Sequence, residues 1–228
     1  MNRLDAYTTP RPDVSALVPD TAQVILDLGC SDGSLGYALK REMPGRRVFG
    51  VEYSSSMAIK AAERLDKVIV GDLNDINCFA ELIDEKFDCI VAADVLEHLV
   101  EPERLLGYIH CMMNEDSTLV ISMPNIRHHS ALYSVIISGS FPRRDRGIFD
   151  STHLRWFTLK DARNLLQSTG FYVEAEHYTL RAGDKGGGLI NKLVQRYLAP
   201  FASFSPLREF MTYQFVIRAK RICPPMER

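Results

Sequence analysis

Apolar and polar positions along this chain keep two alternating rhythms. Val24-Ile25-Leu26-Asp27-Leu28 is a short, nearly continuous apolar run, the pattern of a parallel strand buried on both faces. It breaks into Gly29-Cys30-Ser31-Asp32-Gly33-Ser34, and Leu35, Leu39 and Met43 then recur at helical spacing. The alternation repeats downstream. Arg47–Glu52 reads as a second strand ending in an acid, and Ser54-Ser55-Ser56 as the cap of a helix running to about Leu65. Lys67–Val70 reads as a third strand passing into the turn Gly71-Asp72-Leu73, and Phe87–Asp94 as a fourth, apolar enough for the centre of a sheet. Glu101–Met113 is a helical stretch with Pro102 in its first turn, and Ser117–Asn125 a fifth strand. Thr158 caps a helix over Leu159–Ser168 that Gly170 ends. Phe171–Leu180 and Met211–Lys220 are the last two strands. Strands separated by helices need crossover connections, so the pattern predicts an α/β fold: a mostly parallel sheet with helices on both faces.

Three segments leave this rhythm. Residues 1–23 hold three prolines and read as a lead-in with one short helix near Val14–Val18. Residues 126–157 are rich in His, Arg, Ser and aromatics without a sustained period, and a loop of that length in a compact domain is usually functional or disordered. Residues 181–210 hold a glycine joint (Gly183–Gly188), an amphipathic helix (Leu189–Leu198) and an irregular Pro200–Pro206. The length suits a single domain over 1–228. A net charge of −2 argues against general electrostatic binding of nucleic acid. Five scattered cysteines without C-x-x-C spacing suit a reducing compartment and not a zinc cluster. With no apolar core near the N-terminus and no membrane-length apolar run, the expected location is the cytoplasm.

A strand, a glycine turn and a helix bring a nucleotide-like ligand to the carboxyl end of a parallel sheet. The glycines here fall at 29, 33 and 36, not at G-x-G-x-x-G spacing, and Asp27 and Asp32 accompany them. A carboxylate at a helix N-terminus repels pyrophosphate and attracts a cation, so the turn favours a positively charged nucleoside ligand. Glu52 lies roughly 20 residues past the turn, where a carboxylate accepts hydrogen bonds from ribose hydroxyls. Leu26-Asp27-Leu28-Gly29-Cys30-Ser31-Asp32-Gly33 resembles motif I of the class I S-adenosylmethionine-dependent methyltransferases. The resemblance implies a Rossmann-like seven-stranded sheet with an antiparallel C-terminal edge pair, 181–210 being an insertion between the last two strands. It also implies that S-adenosyl-L-methionine is the cofactor. Asp27, Gly29, Cys30, Asp32 and Gly33 would cradle its methionine part, and Glu52 with Tyr53 would meet the ribose. Asp72 and Leu73 would meet the adenine, and Asp94 and Val95 would line the methyl end. For Asp72, a turn-capping role is the rival reading.

Asp94-Val95-Leu96-Glu97-His98 follows the fourth strand and so borders the same edge. A hydroxyl acceptor needs its proton removed by a base or a metal. The segment resembles the metal-binding stretch of small-RNA 2′-O-methyltransferases and the matching stretch of ubiquinone-biosynthesis O-methyltransferases, with Asp94 where those families carry Glu. Asp150–Thr158 resembles their later segment, in which a histidine, here His153, completes the site. The resemblance leaves two roles open. His98 or His153 is the base, or Glu97, His98 and His153 hold a divalent metal. A third reading has Glu97 capping the next helix while His98 packs over the cofactor. Pro124–His129 together with Asp150–Thr158 also looks like the methionine-biosynthesis (MetW-type) and glycan-biosynthesis methyltransferases. Arg and His would there bind acceptor hydroxyls or carboxylates, and Tyr133, Trp156 and Phe157 would offer apolar faces. Arg143-Arg144-Asp145-Arg146 reads as solvated surface, or as a contact for an acceptor phosphate. The expectation is methyl transfer to a hydroxyl of a small molecule or glycan. The rivals are RNA 2′-O-methylation and a cofactor-binding regulator of a partner enzyme. Residues 181–210 would cover the acceptor pocket, join a homo-oligomer, or meet anionic lipid through Lys192 and Arg196 as a peripheral membrane contact.

Overall fold

The computed structural model describes residues 10–181 and 205–222, with side chains in the second stretch from Arg208 onward. Seven strands form one sheet: β1 (Val24–Leu28), β2 (Arg47–Glu52), β3 (Lys67–Val70), β4 (Phe87–Ala93), β5 (Met113–Pro124), β6 (Phe171–Leu180) and β7 (Thr212–Arg221). Their order is β3-β2-β1-β4-β5-β7-β6. The first five pair in parallel, while β7 runs antiparallel to both β5 and β6. The expected antiparallel edge pair is therefore present. Its outer register carries charge, with Glu174 of β6 bonded to Arg218 and Lys220 of β7.

The helices are α1 (Pro12–Ser15), α2 (Ser34–Glu42), α3 (Ser55–Ala62), α4 (Pro102–Cys111), α5 (His129–Leu132), α6 (Leu159–Ser168) and α7 (Ser205–Met211). Alternation along β1 sends Ile25 to one face of the sheet and Leu26 and Leu28 to the other. Ile25 packs with Val14 of α1, Leu35 and Leu39 of α2 and Ala61 of α3. Leu26 and Leu28 join Leu105, Leu106 and Ile109 of α4 and Leu159, Ala162 and Leu166 of α6. Each fully buried leucine or isoleucine among them contributes about 1.5–3 kcal/mol. The order in which strands are added changes side between the parallel neighbours β1 and β4, so their carboxyl ends form the crevice where ligands of open α/β sheets bind.

Several expected boundaries shift. The helix after β2 stops at Ala62 and not near Leu65, and Ser54 sits at its N-cap without a side-chain capping bond, its Oγ meeting Ser56 Oγ at 3.1 Å. The lead-in helix covers Pro12–Ser15, earlier than Val14–Val18. A 3₁₀ helix over Ile76–Leu82 escaped the sequence reading, because its pattern is too short for a period; Phe79 and Leu82 anchor it. Ser205–Met211 is helical where an irregular stretch through Pro206 was expected. Thr158 and Asp161 do form a reciprocal capping box. The glycine joint, the Leu189–Leu198 helix, Lys192, Arg196 and Cys223 lie outside the described residues. No helix among the described residues is long and apolar enough to cross a membrane.

Candidate functional site

The turn after β1 is built from backbone. Gly29, Ser31 and Gly33 all have positive φ, at 68°, 50° and 77°. The amides of Gly29 and Cys30 both donate to the Val51 carbonyl, at 2.8 and 3.1 Å, which pins the turn to the end of β2. A Cβ on Gly29 would lie 2.8 Å from Val95 Cγ2, and one on Gly33 3.0 Å from Ala61 Cα. Both positions therefore need glycine for close approach as well as for backbone conformation. Cys30 turns its side chain into the core beneath Gly50, so only its backbone borders the crevice.

Three carboxylates near this turn have three different fates. Asp27 is 2% exposed, and its Oδ2 has no hydrogen-bond partner among the described residues. Burial, with the charge of Glu52 added, pushes its carboxyl up to about 7. Glu52 accepts from the Ser31 amide at 2.9 Å and from the Ser54 amide at 2.8 Å, which fixes its head between turn and strand. Asp32 departs from its expected part as a charge offered to a cationic ligand. It accepts from Ser34 N at 3.1 Å and from Arg64 Nη1 at 2.6 Å. Burial opposes its ionisation, but these bonds hold its carboxyl below the ordinary range.

Farther out, Asp72 is exposed, and its Oδ1 accepts from the amide and side chain of Asn74, both at 2.9 Å, so one of its oxygens caps the turn. Leu73 is half-buried against the core. Tyr53 is 76% exposed at the rim beyond Glu52.

Asp94 has φ 57° at the end of β4, and its side chain is held from three sides. Oδ2 accepts from Arg11 Nη1 at 2.7 Å, while Oδ1 accepts from Ser122 Oγ at 2.7 Å and from Gln214. Arg11 also forks onto Asp13, at 3.0 and 2.9 Å. Sequence reading missed Arg11 and Gln214. No local pattern marks them, since they lie 83 and 120 residues from Asp94.

Glu97, His98 and His153 come together as their segments suggested. Val95 leads into a 3₁₀ turn over Leu96–His98, and the Glu97 carbonyl accepts from the amides of Leu154 and Arg155 at 2.8 and 3.1 Å. Those two bonds draw the later segment over the turn. The imidazoles of His98 and His153 meet edge to face with centroids 4.8 Å apart. Ligand atoms of the three residues all lie within 4.8 Å of one another. Glu97 is 1% exposed with both carboxylate oxygens unpartnered among the described residues, and burial, then the charge of Asp94, push its carboxyl well above the ordinary range. His153 Nδ1 contacts the Ile148 carbonyl at 3.1 Å, and His98 Nδ1 the Thr152 carbonyl at 3.3 Å. A carbonyl only accepts, so in both rings Nδ1 carries the proton and Nε2 is the basic nitrogen. Burial and the neighbouring His98 push the His153 pKa down.

Segment 126–157 is anchored from afar. Asn125 Nδ2 donates to the carbonyls of Glu209 and Thr212 at 2.8 and 2.9 Å, and His128 Nε2 meets the Arg181 carbonyl at 2.9 Å. His128 is thereby a structural residue. Phe157 is buried, whereas Trp156 and Tyr133 are exposed.

The sheet order with its antiparallel edge, and a glycine cradle at the switch point, define a class I S-adenosylmethionine-dependent methyltransferase. Residues 5–176 match the family model described as a methyltransferase domain, and the chain belongs to that family. It is 31% identical over 176 residues to a trans-aconitate 2-methyltransferase of Paracidovorax citrulli, covering 76% of this chain and 67% of that protein. It is 29% identical over 115 residues to a ubiquinone biosynthesis O-methyltransferase of Coxiella burnetii, covering 49% of this chain and 48% of that one. The chain spans about half the length of most of the curated relatives it matches. Among solved structures, a Mesorhizobium loti S-adenosylmethionine-dependent methyltransferase superposes with TM-score 0.62 at 16% identity, covering 96% of this chain and 100% of that one. The Synechocystis magnesium protoporphyrin IX methyltransferase with bound S-adenosylhomocysteine gives TM-score 0.57 at 16% identity, covering 96% and 81%. These last two show the fold alone. S-adenosylmethionine is the cofactor of the class, and the residues present fit it: a cradle that a Cβ would fill, and a buried Asp27 oxygen without a donor among the described residues.

Proposed function

We propose that this chain transfers a methyl group to a hydroxyl oxygen of a small molecule or sugar. Asp27 and the backbone of Gly29, Cys30 and Gly33 would hold the methionine part of the cofactor, with Asp32 bracing the turn through Arg64. Glu52 and the rim residue Tyr53 would hold the ribose, Asp72 and Leu73 the adenine, and Asp94 and Val95 the methyl end. Bound there, S-adenosylmethionine supplies the methyl as part of a sulfonium. The observation that carries the hydroxyl reading is the pair of imidazoles whose Nδ1 protons are held by carbonyls. One Nε2 would take the acceptor's proton, and the bound cofactor would supply the methyl by breaking its methyl–sulfur bond and leaving as S-adenosylhomocysteine. The depressed pKa of His153 keeps that nitrogen neutral at neutral pH, and activity should fall only on the acid side of the usual imidazole range.

The test is to supply labelled methyl donor with a small-molecule extract and, separately, with total RNA, and to treat the small-molecule products with mild alkali. An O-methyl ether survives. A labelled methyl ester would move the acceptor to a carboxylate, and label in RNA would favour 2′-O-methylation. Absence of turnover on every acceptor, with the cofactor still bound, would favour the regulator.

A second reading rests on Glu97. Two buried oxygens without donors beside two imidazoles make a site for a divalent cation, with Glu97, His98 and His153 as ligands. Removing the cation with a chelator should then abolish turnover, and Mg²⁺ or Mn²⁺ should restore it. Stability reports the same point independently. With no cation, folded Glu97 keeps its proton above the ordinary 4.5 while the unfolded chain loses it, so stability falls as pH rises. Metal bound by the carboxylate reverses that slope. Thermal midpoints from about pH 5 to 8 with and without Mn²⁺, in the native chain and in Glu97→Gln, check the sign.

A further inference from the structure

In the segment between β5 and α6, a cavity of about 230 Å³ opens beside His153. Three of its walls are aromatic. The Phe141 ring meets Phe149 at 4.8 Å and 81°, and Trp156 at 4.9 Å and 86°. One carbonyl fixes two of the lining groups: Ile148 O accepts from Trp156 Nε1 at 2.9 Å and from His153 Nδ1 at 3.1 Å. The indole and the imidazole are therefore held in place before any ligand arrives. Arg143 stands at the exposed rim, its Nη2 donating to the Ser151 carbonyl. Asp150 also lines the space, but its Oδ1 accepts from the amide and hydroxyl of Thr152 at 2.9 and 2.7 Å, inside its own turn.

We propose that this cavity is a subsite for an aromatic ring carrying an anionic substituent. Ring edges and faces set at right angles offer a flat guest both stacked and edge-on contacts. The volume suits a single substituted ring and is too small for a nucleotide or an oligosaccharide. The planar guanidinium of Arg143 presents several N–H donors in the geometry that a carboxylate accepts. His153 belongs both to this cavity and to the cluster with His98 and Glu97, so a ring seated here stands beside the proposed base. The inference rests on the methyl-transfer reading for its purpose, but not for its test.

Trp156 is the only tryptophan in the chain, so its emission reports this cavity alone. The full chain is titrated with benzoate, cyclohexanecarboxylate and benzylamine, and cofactor affinity is measured by calorimetry on the same samples. Benzoate should change the emission saturably, and the other two should bind at least about tenfold more weakly. Arg143→Gln should lower benzoate affinity about tenfold and remove the preference over benzylamine. Phe141→Ala should remove the preference over cyclohexanecarboxylate. Neither variant should change cofactor affinity. Emission that does not saturate, or benzylamine binding as tightly as benzoate, overturns the subsite. A chain that binds benzoate but not S-adenosylmethionine overturns the methyl-transfer reading and leaves the subsite standing.

Discussion

The turn after β1 and the segment between β5 and α6 stand at the same carboxyl edge of the sheet, yet they are held in opposite ways. The turn closes on itself and its neighbour: Gly33 N donates to Cys30 O at 2.8 Å, and Gly29 N to Val51 O at 2.8 Å. Its shape comes from glycine dihedrals within a few residues. The later segment is held by Asn125 to Glu209 and Thr212, His128 to Arg181, and Leu154 to Glu97, all distant in sequence. A cradle made of backbone suits one ligand common to a class, whereas side chains hung on long-range anchors can be exchanged without disturbing the sheet. On the proposed reading, cofactor binding belongs to the first region and acceptor choice to the second.

The strongest way to break this comparison is His153→Ala. Turnover should fall by about 10²–10⁴-fold, the usual contribution of a positioned base, while S-adenosylmethionine affinity measured by calorimetry stays within about twofold. An equal loss of cofactor binding would mean that the two regions are one unit. Gly29→Val should act in the reverse sense. A β-branched residue at φ 68°, with its Cβ 2.8 Å from Val95, should cost about 3 kcal/mol in denaturant unfolding and abolish cofactor binding. Glu52→Ala should weaken cofactor binding by about 1–3 kcal/mol, since it removes hydrogen bonds to a charged group and frees the amides of Ser31 and Ser54. Unchanged affinity would take Glu52 out of the site. Asn125→Ala sharpens the other half. Losing two buried donors should cost about 1–2 kcal/mol of stability and raise amide exchange across 126–157, with the glycine turn unaffected.

How much was legible in the sequence follows the same division. The strands, the glycine turn and the helix cap at Thr158 were readable because a few adjacent residues settle each of them. Apolar runs demand burial, glycines permit positive φ, and a threonine hydroxyl before an apolar helical period satisfies a helix start. The approach of His98 to His153 was also anticipated, because parallel strands deliver their following loops to one edge. Only the tertiary structure decided which charges face one another. Asp32 reads as a charge for a cation until Arg64, 32 residues on, takes it. Asp94 reads as an open lining residue until Arg11 and Gln214 close on it. Asp27 and Glu97 look like ordinary acids, and burial without a donor is what pushes their carboxyls up. Local periodicity encodes which way a side chain points relative to its own backbone. The partner it meets, and the water it loses, depend on elements that arrive from elsewhere in the chain.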